Sequence, residues 1–521
     1  GHSGALEGWR RLKNAVEAAD GPVRLGDFFP WVDDDTLVDD ARRRHVSPLA
    51  EERPDGSWFF PKREAHARGG SRSGREGAIV VDGVFFQHFL DTGIARVWRS
   101  YLREWVKSGF ARRVVFLDRA GVGPRIPGLP TRSVPRWHSD LSAVDSLRLQ
   151  RICDEEGAEL FVSTYYTTPI GTPSLMLVYD LIPERLGLDM SDAVWEEKRL
   201  AVEHASVYAC ISENTRRDLL ELEPGSKGKR ADVVPLGVDD AFTPAPDAEV
   251  ASFRMKHALD RPYFLVVGER RGVEGYKNVE LVFRAFRDWA GADDYEIVCI
   301  GGRVAIEPEL RAVAPPARAR RLSLGDEELR LAYAGAEALV FPSRYEGFGL
   351  PVVEAMACAC PVITTPLSSL PEVAGDAALY VDPDDAASLR QAFDAVRDPK
   401  NRAAMIAAGR IRADALTWGG ASSTFASLLA TAAQTDTSDQ RRVREALWGP
   451  RRQEQADEEQ LRRARRRLPE AEAQARPARL QRVSARIETL ALVYLPPRAT
   501  VRLRALKAFT RRRPGRSGVA R

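Results

Sequence analysis

Glu346 and Glu354 stand with seven residues between them around a glycine turn, in the run Phe341-Pro342-Ser343-Arg344-Tyr345-Glu346-Gly347-Phe348-Gly349-Leu350-Pro351-Val352-Val353-Glu354-Ala355-Met356. The run reads as a strand end, a tight turn and a helix start near Leu350, with Pro351 in its first turn. Gly347 and Gly349 allow a ligand close to the backbone. The helix start offers unpaired N–H groups and the positive end of a dipole. Glu346 falls on the loop and Glu354 on the helix. One carboxylate can therefore face a reacting group while the other holds a vicinal diol such as a ribose. On residue type alone, the junction reads equally well as a turn with solvated carboxylates.

A second group follows another apolar run: Val267-Gly268-Glu269-Arg270-Arg271-Gly272, then Tyr276-Lys277-Asn278. An Arg forks onto phosphate oxygens and a Lys adds a point charge, so cations at a strand end and a helix start suit an anion. In the first half of the chain, Thr92-Gly93-Ile94-Ala95-Arg96 and Tyr179-Asp180-Leu181-Ile182-Pro183 also sit at strand ends. Asp180 is a candidate for orienting hydroxyls, or a simple turn former.

The 341–356 stretch resembles the signature of retaining glycosyltransferases of family four, whose GT-B fold pairs two Rossmann domains. The likeness continues through Ala357-Cys358-Ala359-Cys360-Pro361-Val362-Ile363, Ser368-Ser369-Leu370-Pro371-Glu372-Val373 and Ala377-Ala378-Leu379-Tyr380-Val381-Asp382-Pro383, with Ala359 where relatives carry Gly. It covers about 78–435 and is densest over 263–383. It implies that Arg270, or its neighbour Arg271, and Lys277 hold the donor's diphosphate. It further implies that Glu346 positions the donor sugar, that Glu354 holds the ribose, and that Gly347, Phe348, Gly349 and Leu350 line the site. Gly93 would lie near the donor phosphate and the acceptor. Tyr179 stands where many members have His. No cofactor or metal is implied, because the cations and helix N–H groups would stabilise the leaving diphosphate. The implied partners are a nucleotide sugar and a glycan or lipid-linked acceptor, in bacterial surface polysaccharide synthesis, with mannose or glucose transferred. Alternatives within the fold are an epimerase, a sucrose-type synthase or a phosphorylase. Outside catalysis, the alternative is an inactive scaffold.

Such residues need two α/β sheets to place them. Short apolar runs alternate with helical stretches from Ala78 to Gly237 and again from Tyr263 to Val381, as in doubly wound parallel sheets. The expected division is a polar appendage (1–77), an acceptor domain (78–240), a nucleotide-sugar domain (262–435) and a basic tail (441–521). Val233–Gly237 is expected to close the first series of strands, Thr243–Asp247 to be a linker, and Trp9–Ala19 to form a short helix.

Length, composition and charge fit this plan. At 521 residues the chain exceeds a single core, and 44% hydrophobic with 29% charged residues excludes wholesale disorder. No run of about 18 apolar residues occurs, and the first residues show no secretory pattern. Five cysteines, an odd number without a C-x-x-C pair, and seven scattered histidines point away from disulfides and zinc and towards a cytoplasmic setting. Residues 441–521 carry 23 basic against 8 acidic side chains, a net of +15 where the whole chain has +3, so the remainder holds −12. A basic tail beside the apolar Ile487–Leu495 suits an anionic membrane surface, and hence a peripheral place on the inner face of the cytoplasmic membrane. No aromatic-interleaved motif points to nucleic acid.

Overall fold

A computed structural model describes residues 51–52, 58–59, 77–89, 92–191, 193–270, 275–302, 305–313, 318–435 and 439–463. The chain divides into two compact units, Gly1–Arg452 and Gln453–Arg521. The first holds both sheets and a short antiparallel ladder of β1 (Glu51–Glu52) and β2 (Trp58–Phe59). Of the second, residues 453–463 are described and helical. Trp9–Ala19, Arg271, the end of the Arg462–Arg467 run and Ile487–Leu495 lie outside the described residues.

The first sheet has seven parallel strands: β3 (Ala78–Asp82), β4 (Val114–Arg119), β5 (Thr131–Val134), β6 (Ala158–Ser163), β7 (Ser174–Val178), β8 (Ala205–Cys210) and β9 (Arg230–Val233), ordered β5-β4-β3-β6-β7-β8-β9. The second has six: β10 (Tyr263–Val267), β11 (Glu296–Ile300), β12 (Ala319–Leu322), β13 (Ala338–Phe341), β14 (Val362–Thr364) and β15 (Ala378–Tyr380), ordered β12-β11-β10-β13-β14-β15. Central strands such as β3 and β13 are buried at every residue, because helices cover both faces of a parallel sheet. The two Rossmann-like halves expected from the sequence are therefore present.

Several elements differ from expectation. The first series ends at Val233; Pro235 cannot donate to a ladder, and Gly237 passes so close to the chain that an added Cβ would lie 2.6 Å from Trp418 Cα. Asp247 starts a helix, Asp247–Lys256, rather than ending a linker. The edge strand β5, mostly exposed, and the charged helix Ser142–Glu156 gave no apolar run to read.

The halves share a core. Helix α1 (Gly93–Ser108) lays Trp98, Tyr101 and Trp105 against Trp418 and Phe425 of the long helix Trp418–Thr435, with Tyr101 and Phe425 ring centroids 4.9 Å apart. Residues 439–452 continue onto the first half as a helix. There Arg441 pairs with Asp154 at 2.5 Å, Trp448 meets the His204 ring at 5.3 Å, and the buried Arg452 donates to Glu197 at 2.9 Å. The opening of the basic tail is thus spent on the body of the protein.

Candidate active site

Strand β13 delivers the chain to the turn at 342–349, and Gly349, at φ +102, begins helix α2 (Leu350–Ala357) with Pro351 in its first turn. Glu346 is buried on that turn. Its N–H donates to Ser368 Oγ at 2.9 Å and its carbonyl accepts from Ser369 Oγ at 2.9 Å, as does the carbonyl of the buried Phe348 at 3.0 Å. Both serines belong to the Ser368-Ser369-Leu370-Pro371-Glu372 segment, so that segment fixes the loop. Leu350 is half-buried at the helix start.

Lys277 precedes helix α3 (Val279–Arg287). Its ammonium donates to Glu346 Oε1 at 2.5 Å and lies over the rings of Tyr276 (5.1 Å) and Phe341 (5.2 Å). Burial pulls the Lys277 ammonium down, but Glu346 and Tyr276 outweigh it and hold the pKa above its ordinary value. The second sheet therefore presents a fixed, charged lysine beside a carboxylate at the mouth of its central strands.

The first sheet closes onto this pair through Gly347. Thr215 Oγ1 donates to the Gly347 carbonyl at 3.2 Å, and a Cβ at Gly347 would lie 3.1 Å from both the Tyr179 carbonyl carbon and Asp180 Cβ. Asp180 thus stands against the Glu346–Gly347 turn. Burial raises its pKa, opposed by Lys198 and the Ile182 N–H and reinforced by Glu184 and Glu346. The Tyr179 side chain turns into the core, where its hydroxyl accepts from Trp98 Nε1 and donates to the Thr164 carbonyl at 3.3 Å. Gly93 is exposed at the start of α1, with open space where a Cβ would be.

Further contacts tie the halves. Glu372 accepts from the backbone N–H groups of Glu213 (2.7 Å) and Asn214 (2.6 Å), capping helix Glu213–Leu222 of the other half, and Tyr345 hydroxyl meets Asp218. Arg96, one turn into α1, donates to Glu354 Oε1 at 2.5 Å and to Asp326 at 2.5 Å. Tyr333 hydroxyl donates to Glu354 Oε2 at 3.0 Å. Burial pushes the Glu354 carboxyl up, against the pull of Arg96 and Tyr333. Arg96 and Glu372 fall within runs noted in the sequence, and Thr215 in one read as scaffold, but none was given a role at the site, and Tyr333 was not noted. Their partners lie far along the chain, and no local pattern marks such contacts.

Arg270 is engaged within its own half. Its side chain is fully buried and donates to Glu307 Oε2 at 2.8 Å, to the Gly301 carbonyl at 2.7 Å and to the Ala305 carbonyl at 2.8 Å. The guanidinium expected on a diphosphate here braces the loop after β11. These donors meet backbone and carboxylate oxygens.

Two parallel sheets, with a lysine–carboxylate pair where their carboxyl ends meet, make up the two-Rossmann fold of the GT-B class. Residues 261–398 match the family described as glycosyl transferases group 1. The chain is 43% identical over 94 residues to O-antigen chain mannosyltransferase B of Escherichia coli, a match covering 18% of this chain and 25% of that protein. It is 28% identical over 344 residues to α-maltose-1-phosphate synthase of Mycobacterium tuberculosis, covering 58% of this chain and 87% of that one. Sucrose-phosphate synthase from Thermosynechococcus elongatus shares the fold at TM-score 0.55 and 20% identity, covering 68% of this chain and 98% of that one. Among the described residues no group of three His, Cys, Asp or Glu side chains is placed to hold a metal ion, and no helix is long and apolar enough to cross a membrane.

Proposed function

We propose that the protein transfers a hexose, mannose or glucose, from a nucleotide diphosphate sugar to a glycan or lipid-linked acceptor in bacterial surface polysaccharide synthesis, with retention at the anomeric carbon. The observation that carries this is the Lys277–Glu346 pair, packed against Asp180 of the opposite half. Lys277 and the positive end of helix α2 stabilise the diphosphate as it leaves, charge placed in advance where charge develops. Glu346 orients the donor sugar and Asp180 the hydroxyls at the cleft. Glu354 takes the ribose diol once Arg96 releases it, so donor binding and the contact between halves are linked. The likeness to a mannosyltransferase supports mannose. No metal enters the reaction as proposed, and residues 453–521 are assigned to an anionic membrane surface.

A second reading, synthesis of a small sugar phosphate, is favoured by the length of the match to α-maltose-1-phosphate synthase. A panel of UDP-, GDP- and ADP-linked hexoses tests both. Release of free nucleoside diphosphate, with a matching ligand-induced rise in melting temperature, is expected for one base. Product from a phosphorylated sugar acceptor but from no glycan selects the second reading. Absence of turnover and of any thermal shift refutes both.

A further inference from the structure

The carboxyl edge of the first sheet carries a row of rings that the donor chemistry leaves unused. In the order β5-β4-β3-β6-β7, the segment after β5 supplies Trp137 and the segment after β3 supplies Phe85, His88 and Phe89. Tyr165 and Tyr166 follow β6, and Asp180 follows β7. The rings form a continuous series. His88 lies 5.9 Å from Trp137 and 6.2 Å from Phe89, Phe89 lies 5.5 Å from Phe85, Phe85 lies 5.3 Å from Tyr165, and Tyr165 stacks on Tyr166 at 3.9 Å. Phe85 is buried beneath, whereas Phe89 is 53% exposed and Trp137 and Tyr165 are half-buried.

The row is held rather than loose. Gln87 Nε2 donates to the Trp137 carbonyl at 3.0 Å, the Trp137 N–H donates to Gln87 Oε1 at 2.9 Å, and Arg136 donates to the Gln87 carbonyl at 3.1 Å. A fixed aromatic strip at the ligand end of a parallel sheet, open to solvent at a large Phe, marks a binding surface. Its borders choose the occupant. Arg136 and His88 flank the outer end and Asp180 the inner, so an occupant must offer an apolar face and a hydroxyl rim together. A pyranose does so. An acyl or isoprenoid chain would desolvate those polar groups and give them no partner.

We infer that Trp137, Phe89 and Tyr165 form an acceptor subsite for a pyranose ring, whose far end delivers a hydroxyl towards Asp180. This deepens the glycosyltransferase reading and rests on it, since the donor is assigned to the opposite half.

The test uses the full chain, Phe89→Ala and Trp137→Phe, with α-linked disaccharides of mannose, glucose and galactose as probes. Binding is followed by tryptophan fluorescence, and nucleotide binding by thermal shift. Saturable binding of at least one disaccharide is expected, weakened on the order of tenfold by Phe89→Ala. The Trp137→Phe protein should lose most of the fluorescence change. In turnover, the acceptor KM rises while donor KM and donor hydrolysis stay as in the parent. Equal disaccharide affinity and acceptor KM in parent and Phe89→Ala overturns the subsite, as does binding of dispersed lipid but of no saccharide. Loss of all nucleotide binding and turnover in the parent would instead sink the glycosyltransferase reading, and the fluorescence titration would still report on the rings.

Discussion

Replacing Gly347 with Ala probes how closely the two halves must approach. The added methyl would lie 3.1 Å from the Tyr179 carbonyl carbon and from Asp180 Cβ, and nearer still to the Tyr179 carbonyl oxygen. Ordinary carbon contacts sit near 3.5–4.0 Å, so the Glu346 turn and the Tyr179–Asp180 strand end must part by roughly half an ångström or more. The neighbours are the Tyr179 backbone and the Asp180 Cβ attached to it, just past the end of a buried parallel strand, and neither can rotate away. Overpacking of this kind costs about 1–3 kcal/mol, which lowers Tm by a few degrees in a domain of this size. The effect on turnover should be larger. Asp180 and the Lys277–Glu346 pair belong to opposite halves, and a displacement of about 1 Å at reacting groups can cost on the order of a hundredfold in rate. Calorimetry and donor turnover on Gly347→Ala measure both. A variant with parental Tm and parental kcat would refute the claim that this contact sets the catalytic geometry.

Arg270→Ala should act on stability before it acts on donor binding. It strips Glu307, itself buried, of its guanidinium partner, a loss of about 3–5 kcal/mol for a buried pair. Urea unfolding should show that loss while the folded protein keeps its nucleotide affinity; unchanged stability with a hundredfold weaker nucleotide would place Arg270 on the diphosphate. His204 makes the first half acid-sensitive. Its Nε2 meets the Ile170 carbonyl at 3.1 Å and must donate to it, and its Nδ1 lies 2.7 Å from Ser174 Oγ, so the buried ring is neutral and its pKa is pulled down to about 3, chiefly by burial. Between that value and the unfolded one near 6.5 only the unfolded chain takes the proton. Stability therefore falls by up to about 1.4 kcal/mol per pH unit as pH drops through this window, and is intact above it. Denaturant midpoints at pH 7.5, 6.0 and 5.0 should fall more steeply for the parent than for His204→Asn; equal slopes would exclude the ring as the source.

The fold was legible where strands are buried on both faces. Ala78–Asp82, Tyr263–Val267 and Ala338–Phe341 are apolar runs because helices cover both sides, and such runs announce themselves. The edge strand Thr131–Val134 alternates with solvent and carries an Arg, so nothing in its composition betrays it. The glycine turn with its carboxylates was legible for a similar local reason: strand end, turn and helix start follow one another within a dozen residues. The cation loop was legible only by half. Cations at a strand end and a helix start were visible, but neither the Lys277–Glu346 bond nor the course of the long Arg270 side chain was, since both depend on what packs around them. Glu307, which claims Arg270, lies on a loop that no motif links to it. The bond from Arg96 to Glu354 likewise joins the two halves of the protein, and becomes visible only when both are folded.

The aromatic seam between Trp98, Tyr101 and Trp105 and the late residues Trp418 and Phe425, followed by Trp448 against His204, has a consequence for the newborn chain. The amino-terminal half leaves the ribosome first, yet the rings that cover its helix are made only after the whole of the second sheet. Until they emerge, three large aromatics remain uncovered for the time needed to translate the whole second half, at roughly 5–20 residues per second. Synthesis in the cell therefore calls for either a chaperone over that helix or a rapid arrival of the far end. A gene truncated before Trp418 would yield a protein prone to aggregate rather than a smaller working half.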